Sequence, residues 1–306
     1  MSKYRIVYFS GTGCTALAAN CLGKALRELG CETCLERITA GGSSGVITAD
    51  TGREAYSADT GSDTYSADAL VLLFPVYACT VPGPVIKWLE NLSRADGMPT
   101  AVISVSGGGE ISPNTASRVS AVKILERKGF DVLFEDSIVM LSNFIVATPE
   151  PLSIMLLQVL PEKVRAIADG LLSGGRKRMP PRVIDRLFAR AGKTVGWFAK
   201  KWGRSIKVSD GCDGCGLCAE QCPTSNITME GMGVRPNFGE KCCMCLGCFY
   251  TCPKRALMPK TAKSIIVEGF NLKEAEEKAS ASDRADAAQI PAGLIWLGVK
   301  KYLKEI

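Results

Sequence analysis

The sequence contains no histidine anywhere in its 306 residues. That absence removes imidazole-based triads, H-E-x-x-H metal sites and Rieske-type ligation together. Cysteine and a bound cofactor are left as the sources of chemistry. No run of 18 apolar residues occurs either. The longest stretches, Ile138 to Ala147 and Leu152 to Leu160, are broken by Ser142, Asn143 and Gln158, so no transmembrane helix is expected. The opening Met1-Ser2-Lys3-Tyr4-Arg5 runs into a strand-like segment with no signal-peptide apolar region. A cytoplasmic chain with reduced thiols is the expectation. Neither a G-x-G-x-x-G fingerprint nor a Walker A loop is present. Gly192-Lys193-Thr194 imitates the end of the latter, but Leu187 stands where its first glycine belongs.

What the sequence has is cysteine, 14 in all. Cys212, Cys215, Cys218 and Cys222 precede Pro223; Cys242, Cys245, Cys248 and Cys252 precede Pro253. Each set reads C-x2-C-x2-C-x3-C-P. Three cysteines two residues apart let one tight loop wrap three corners of a cubane iron-sulfur cluster, and the fourth thiolate must come from elsewhere. Each proline ends its ligand loop by withholding an amide, and Gly211, Gly214, Gly216 and Gly247 allow close backbone approach. Structural zinc pairs C-x2-C knuckles a dozen or more residues apart and has no use for the third cysteine or the C-x3-C-P ending. Disulfides would need an exported chain.

Residues Val208 to Pro259 resemble the bacterial two-[4Fe-4S] ferredoxins. That resemblance implies crossed ligation: Cys212, Cys215, Cys218 and Cys252 on one cluster, Cys222, Cys242, Cys245 and Cys248 on the other. Cys243 fits neither set and reads as a spare thiol.

The first half alternates strand-like and helical patterns. Tyr4 to Phe9, Glu32 to Ile38, Ala69 to Phe74, Thr100 to Val105 and Asp131 to Met140 read as strands, with helical stretches at Ala16 to Leu29, Val85 to Leu92 and Asn114 to Lys128. This predicts an α/β fold with a doubly wound parallel sheet, followed by a small α+β domain around the cysteines. Ligands on such sheets sit at the carboxyl ends of the strands, where Ser10 to Thr15, Pro75 to Pro84 and Ser106 to Ser112 fall. The first loop offers glycine flexibility, hydroxyls and a helix N-terminus to a phosphate; a plain helix cap is the alternative.

With those loops, residues 1 to 172 resemble a flavodoxin. The resemblance implies FMN, with Ser10, Thr12, Gly13, Cys14 and Thr15 at its phosphate. Pro75, Val76 and Tyr77 flank the isoalloxazine, with Tyr77 as stacking ring, and Ser106, Gly107, Gly108 and Gly109 lie on its other side. Two positions depart from the family: Cys14 replaces the usual Asn, and no aromatic occurs between Ser104 and Ser112. Cys14 reads either as an activated thiol at a helix N-terminus or as a small loop residue; a bound phosphate would repel a thiolate and favours the second. Cys31 and Cys34, three apart on a strand, face opposite ways and cannot bridge. Cys21 reads as helix core and Cys79 as a loop thiol at the flavin edge.

Residues 49 to 66 hold a tandem nine-residue repeat, the first copy reading as a duplicated surface-loop insertion that costs little free energy. An acidic docking loop for the basic segment is the functional alternative. Residues 176 to 207 carry eleven Lys or Arg against Asp185 alone, +10 in a chain of +6, so the remainder is net −4. Arg182, Arg186 and Arg190 on one face and Val183, Leu187, Ala191, Val195, Phe198 and Trp202 on another predict a basic amphipathic helix. It is a solvated linker, a dock for an acidic redox partner, or a peripheral contact with the inner face of the membrane; no recognition motif supports nucleic acid. Leu272 to Ala287 reads as a polar helix. A last amphipathic segment from Pro291 through Leu303 either packs on the core or anchors at a surface. The expected divisions are 1–172, a connector at 173–207, a cluster domain at 208–260 and a tail at 261–306.

The whole chain resembles bacterial fusions of a flavodoxin-like domain with a two-cluster ferredoxin domain. The resemblance implies FMN and two [4Fe-4S] clusters in one electron-transfer protein, converting between two-electron and one-electron carriers. A flavin reductase of a small acceptor such as a quinone, fed by the clusters, is one alternative. A ferredoxin with a flavin-free docking domain is another.

Overall fold

The structure is a computed structural model. It describes residues 1–40, the backbone of 42–47, and residues 67–181, 185, 196–231, 234–261, 263–284, 290 and 293–306. The tandem repeat at 49–66 and the proposed helical positions 182–184 and 186–195 lie outside the described residues.

Six strands form the main sheet: β1 (Lys3–Tyr8), β2 (Glu32–Thr39), β3 (Gly42–Ile47), β4 (Ala69–Pro75), β5 (Met98–Ser106) and β6 (Phe130–Val139). Their order is β3-β2-β1-β4-β5-β6. All neighbours run parallel except β3, which pairs antiparallel with β2. The central strands are buried on both faces, and their near-continuous Val, Ile and Leu runs reflect this. Helices α1 (Cys14–Glu28) and α4 (Glu150–Leu172) cover one face; α2 (Gly83–Asn91) and α3 (Val119–Arg127) cover the other. This is the expected flavodoxin-like doubly wound fold, and its strand order reverses between β1 and β4.

Two elements were not foreseen. The Gly- and Ser-rich β3 exists by pairing at the sheet edge, where propensity is weak. Helix α4 runs 23 residues through Pro161, a residue that normally breaks a helix; its apolar face against α1 and the sheet holds it in place. The segment 114–128 divides into a 3-10 turn (Asn114–Arg118) and α3.

In the cysteine region, a helix at 196–204 (α5) leads into β7 (Lys207–Val208), α6 (Leu217–Glu220), β8 (Ile227–Glu230), β9 (Arg235–Phe238), α7 (Gly247–Thr251) and β10 (Leu257–Met258). β7 pairs with β10, and β8 with β9, both antiparallel. The first strand thus meets the last around a core of Trp202, Ile206, Ile227, Leu246, Phe249 and Leu257. In α5, Trp202 is buried while Phe198 is 46% exposed, so the expected apolar face is only partly used.

The tail returns to the first domain. Helix α8 (Leu272–Ala281) packs on the face that carries α1 and α4. Trp296, Val299 and Tyr302, around α9 (Leu297–Lys304), are buried with Val139, Leu152 and Leu156. Among the described residues no helix is long and apolar enough to cross a membrane.

Candidate functional site

The loops after β1, β4 and β5 meet at the carboxyl edge of the sheet around a cavity of about 440 Å³, within the range of cofactor sites. Ser10, Thr12, Cys14, Thr15, Pro75, Val76, Tyr77, Ser106, Gly107 and Gly108 line it. Gly13 and Gly109 belong to the same loops but not to the cavity wall. They close the loops instead. The Gly13 amide donates to Ser10 Oγ and the Gly109 amide to Ser106 Oγ, each at 3.2 Å, and both glycines have left-handed φ. The first turn of α1 has no side-chain cap, and its Cys14 and Thr15 line the cavity; uncapped first-turn amides are what an anion cradle requires. The loop residues therefore fit a phosphate-bearing flavin.

Tyr77 packs edge-on against Phe9 with ring centroids 6.2 Å apart. Burial, reinforced by nearby thiols, pushes its hydroxyl well above the ordinary value, so the phenol stays neutral. The turn that carries it pairs Tyr77 with Thr80, with Ala78 and Cys79 both at positive φ. Such strain in non-glycine residues persists only where the surroundings fix it. Cys79 donates to Asn114 Oδ1 at 3.7 Å, and Asn114 donates to Gly109 O at 3.2 Å.

Cys14 is buried, and burial pushes its thiol up to about 12. It donates to Leu141 O at 3.8 Å, an arrangement in keeping with the reading as a small loop residue. Cys31 and Cys34 are free thiols. Cys21 is half-buried against the core.

Sequence reasoning missed several residues here. Asn143, past the end of β6, donates through its amide to Thr12 Oγ1, and its carbonyl accepts from Tyr250 OH at 2.6 Å. Tyr250 in turn accepts from the Val267 amide at 3.0 Å. Ser142 to Val146 line the cavity as well; their position at the next strand end was the available signal. Ile295 and Trp296 complete the wall from the tail.

The fourth side of the cavity is the second cysteine loop, through Cys243, Met244, Cys245 and Leu246. A Cβ built on Gly247 would lie 2.6 Å from Gly11 O. Gly247 therefore serves packing against the first domain, whereas Gly214 and Gly216 hold left-handed backbone in the first loop. Met244 and Leu246 take the matching left-handed conformations in the second.

The eight repeat cysteines separate into the two crossed sets. Cys212, Cys215, Cys218 and Cys252 surround one small cavity, while Cys222, Cys242, Cys245 and Cys248 surround another, with Cys243 beside them. Strand pairing is the cause. The β7–β10 ladder, extended by the Ser209 amide to Ala256 O at 2.8 Å, carries Cys252 to the first loop. The β8–β9 ladder, extended by the Lys241 amide to Asn226 Oδ1 at 2.5 Å, carries Cys222 to the second. Amides of Asn226, Met244 and Ala256 donate to the sulfurs of Cys222, Cys242 and Cys252 at 3.3, 3.4 and 3.3 Å. Among the described residues no three such side chains converge on a single-ion site. Four sulfurs around a void with amide donors is the donor chemistry of a cubane cluster.

Arg37, on β2, donates to Ser10 O at 3.3 Å, and its Nε is buried without a hydrogen-bond partner. Cys245 is held below the ordinary thiol value by a hydrogen bond from Cys243, by the Gly247 amide and by the Arg37 charge, against the burial that opposes them.

The connector's charges are partly spent inside the molecule. Arg176 pairs with Asp131, Lys177 with Asp136, and Arg178 with Glu126 and Glu135. Asp185 is buried and accepts from Ser112 Oγ and Thr115 Oγ1, both at 2.6 Å. It ties the connector to the loop after β5.

Residues 206–228 match the 4Fe-4S binding domain family. No curated protein matches the chain significantly. Among solved structures, the chain is similar to the flavodoxin of Streptococcus pneumonia TIGR4, with 18% identity over 56% of this chain and 99% of that one, at TM-score 0.37. It is similar to oxidised flavodoxin 2 from Bacillus cereus, with 16% identity over 56% and 99%, at TM-score 0.34. A flavoprotein in complex with FMN from Lactobacillus acidophilus NCFM shows 17% identity over 45% and 93%, at TM-score 0.33. These likenesses are distant, and the assignment of the first domain rests on strand order and loop placement. The chain joins a flavodoxin-like α/β fold to a region that matches the 4Fe-4S binding domain family.

Proposed function

We propose that the chain is an intramolecular electron converter, holding FMN in the 440 Å³ cavity and two [4Fe-4S] clusters on the crossed cysteine sets. The observation that carries this reading is the shared wall. Cys243 to Leu246 close the same cavity that the flavodoxin-like loops build, so a flavin there would lie directly against a cluster ligand loop. A flavin supplies two-electron exchange and each cluster one-electron exchange. This chain's residues bind and orient: the α1 amides and Ser10, Thr12 and Thr15 take the phosphate end, Tyr77 flanks the ring, and Asn143 fixes Thr12.

An acidic redox partner docking on residues 176–207 would reach the second cysteine set through Lys200, although Glu240 shares the same cavity wall. There Lys87, Lys200 and Lys241 line a cavity of about 570 Å³ that reaches Cys242 and Cys243, and positive charge would speed encounter.

The test is anaerobic purification with iron, sulfide and FMN counted per chain, and visible spectra before and after dithionite. About eight iron, about eight sulfide and about one FMN support the converter. Full iron that never accompanies FMN, even after reconstitution, reduces the first domain to a docking module. Bound zinc without bleachable absorbance overturns the reading.

A further inference from the structure

We propose that the C-terminal segment 293–304 is a structural wall of the flavin cavity, with Trp296 supplying the aromatic ring that the loop after β5 lacks. The inference rests on the flavin reading above.

The loop from Ser106 to Ser112 carries no aromatic residue, yet the cavity is not open on that side. Ile295 and Trp296 line it, more than 180 residues later in the chain and beyond the whole cysteine region. Their approach is fixed by backbone contact. A Cβ on Gly298 would lie 2.1 Å from Gly108 O, and one on Gly109 would lie 2.7 Å from Gly298 O. Gly109 is also held at φ +72°. Only glycine at both positions lets α9 sit directly on the loop.

The wall is anchored, not draped. Trp296 is 7% exposed, and Val299 and Tyr302 are buried beside it among Val139, Leu152, Leu156 and Val159. Lys163 Nζ lies 5.4 Å from the Tyr302 ring centroid. Ile295, by contrast, is 52% exposed at the cavity mouth. An indole held this way offers a large rigid apolar surface with little ordering entropy left to lose on ligand binding. Flavin retention should therefore depend on docking of the last helix.

The experiment uses the full-length chain with its iron intact, stripped of flavin and titrated with FMN by quenching of flavin fluorescence. Thermal midpoint and iron content are followed in parallel. Trp296→Phe should bind within about threefold of wild type, while Trp296→Leu, which keeps apolar volume but no ring, should bind about tenfold more weakly. Gly298→Val, which pushes α9 off the loop without touching a cavity side chain, should weaken binding at least as much. Trp296→Leu binding FMN as tightly as wild type, with iron and thermal midpoint retained, overturns the aromatic wall. Gly298→Val binding normally overturns the dependence on tail docking. A wild-type chain that holds iron but binds no FMN fails at the earlier step and removes the flavin reading, and with it this one.

Discussion

Gly11 and Cys245 meet so closely that a Cβ on Gly11 would lie 2.6 Å from Cys245 Cβ and 2.5 Å from the Tyr77 hydroxyl oxygen. One residue belongs to the loop after β1, the other to the second cysteine repeat. The two modules are thus joined at their candidate sites and not merely through a linker.

Gly11→Val should disturb that junction. Overpacking of this kind costs about 1–3 kcal/mol, so a lower thermal midpoint is expected with the iron count unchanged. Reduction of bound flavin by a one-electron donor, followed by stopped flow, should slow relative to wild type. An unchanged rate would mean that electrons do not cross at this contact.

Arg37 places a fixed positive charge against the same contact. A reduced cluster is more negative than an oxidised one, so a nearby cation stabilises the reduced form. Arg37→Gln should lower the midpoint potential of the cluster on Cys222, Cys242, Cys245 and Cys248 by tens of millivolts, on a scale of about 59 mV per tenfold change in the one-electron equilibrium. Arg37→Lys should restore most of it. A redox titration followed by electron paramagnetic resonance checks both, and the other cluster serves as the internal control.

The proposed crossed ligation makes a prediction that sequence order alone would reverse. Cys252→Ala should abolish the signal of the cluster on Cys212, Cys215 and Cys218, although Cys252 belongs to the second repeat. Cys222→Ala should do the converse. Cys243→Ser should leave the iron content unchanged. Pairing each variant with the Arg37 titration identifies which cluster is lost.

The parallel sheet, its strand-end loops and the 4Fe-4S motif matched at 206–228 were legible because each depends on local pattern: apolar runs, small residues before a helix, cysteine spacing. What was not legible depends on returns over long distance. Trp296 reaches the cavity only because α9 packs on the loop after β5. Asn143 matters only because Thr12 and Tyr250 lie against it. Asp185 looked like an exception within a basic run, and its role appears only with Ser112 and Thr115. Gly247 reads in the sequence as room for backbone beside a cluster, whereas the tightest approach at that position is to Gly11 O of the other module.

Cys14 supplies a pH test. Its folded-state thiol is pushed up to about 12 from an ordinary 9.0, chiefly by burial. Below pH 9 the thiol is neutral in both folded and unfolded chains, and its contribution is fully present. Between pH 9 and about 12 the unfolded thiol ionises while the folded one does not, so stability falls as pH rises. Relative to Cys14→Ser, the wild type should lose up to about 1.4 kcal/mol per pH unit in that window, measured by denaturant unfolding from pH 8 to 10.5. Alkylation at pH 8, mapped by mass spectrometry, should spare Cys14 in the folded protein.

Arg118 is the buried charge behind the loop after β5, at 1% exposure. It donates to Glu110 at 2.6 and 2.9 Å, to Glu135 at 3.2 Å and to Ser104 at 2.7 Å. Burial alone would pull its pKa down, but the hydrogen bonds and charges of Glu110 and Glu135 prevail and raise it. Glu110 sits on the cavity loop, so the network links that loop to β6. Arg118→Met would leave two carboxylates without their shared partner, a change that costs about 3–5 kcal/mol when a buried pair is broken from one side. Arg178 still reaches Glu135, so Glu110 is the group left without compensation. The double variant Arg118→Met, Glu110→Gln should therefore recover much of the loss in denaturant unfolding. A double variant no more stable than the single one would show that Arg118 acts through Glu135 and Ser104 and not through Glu110.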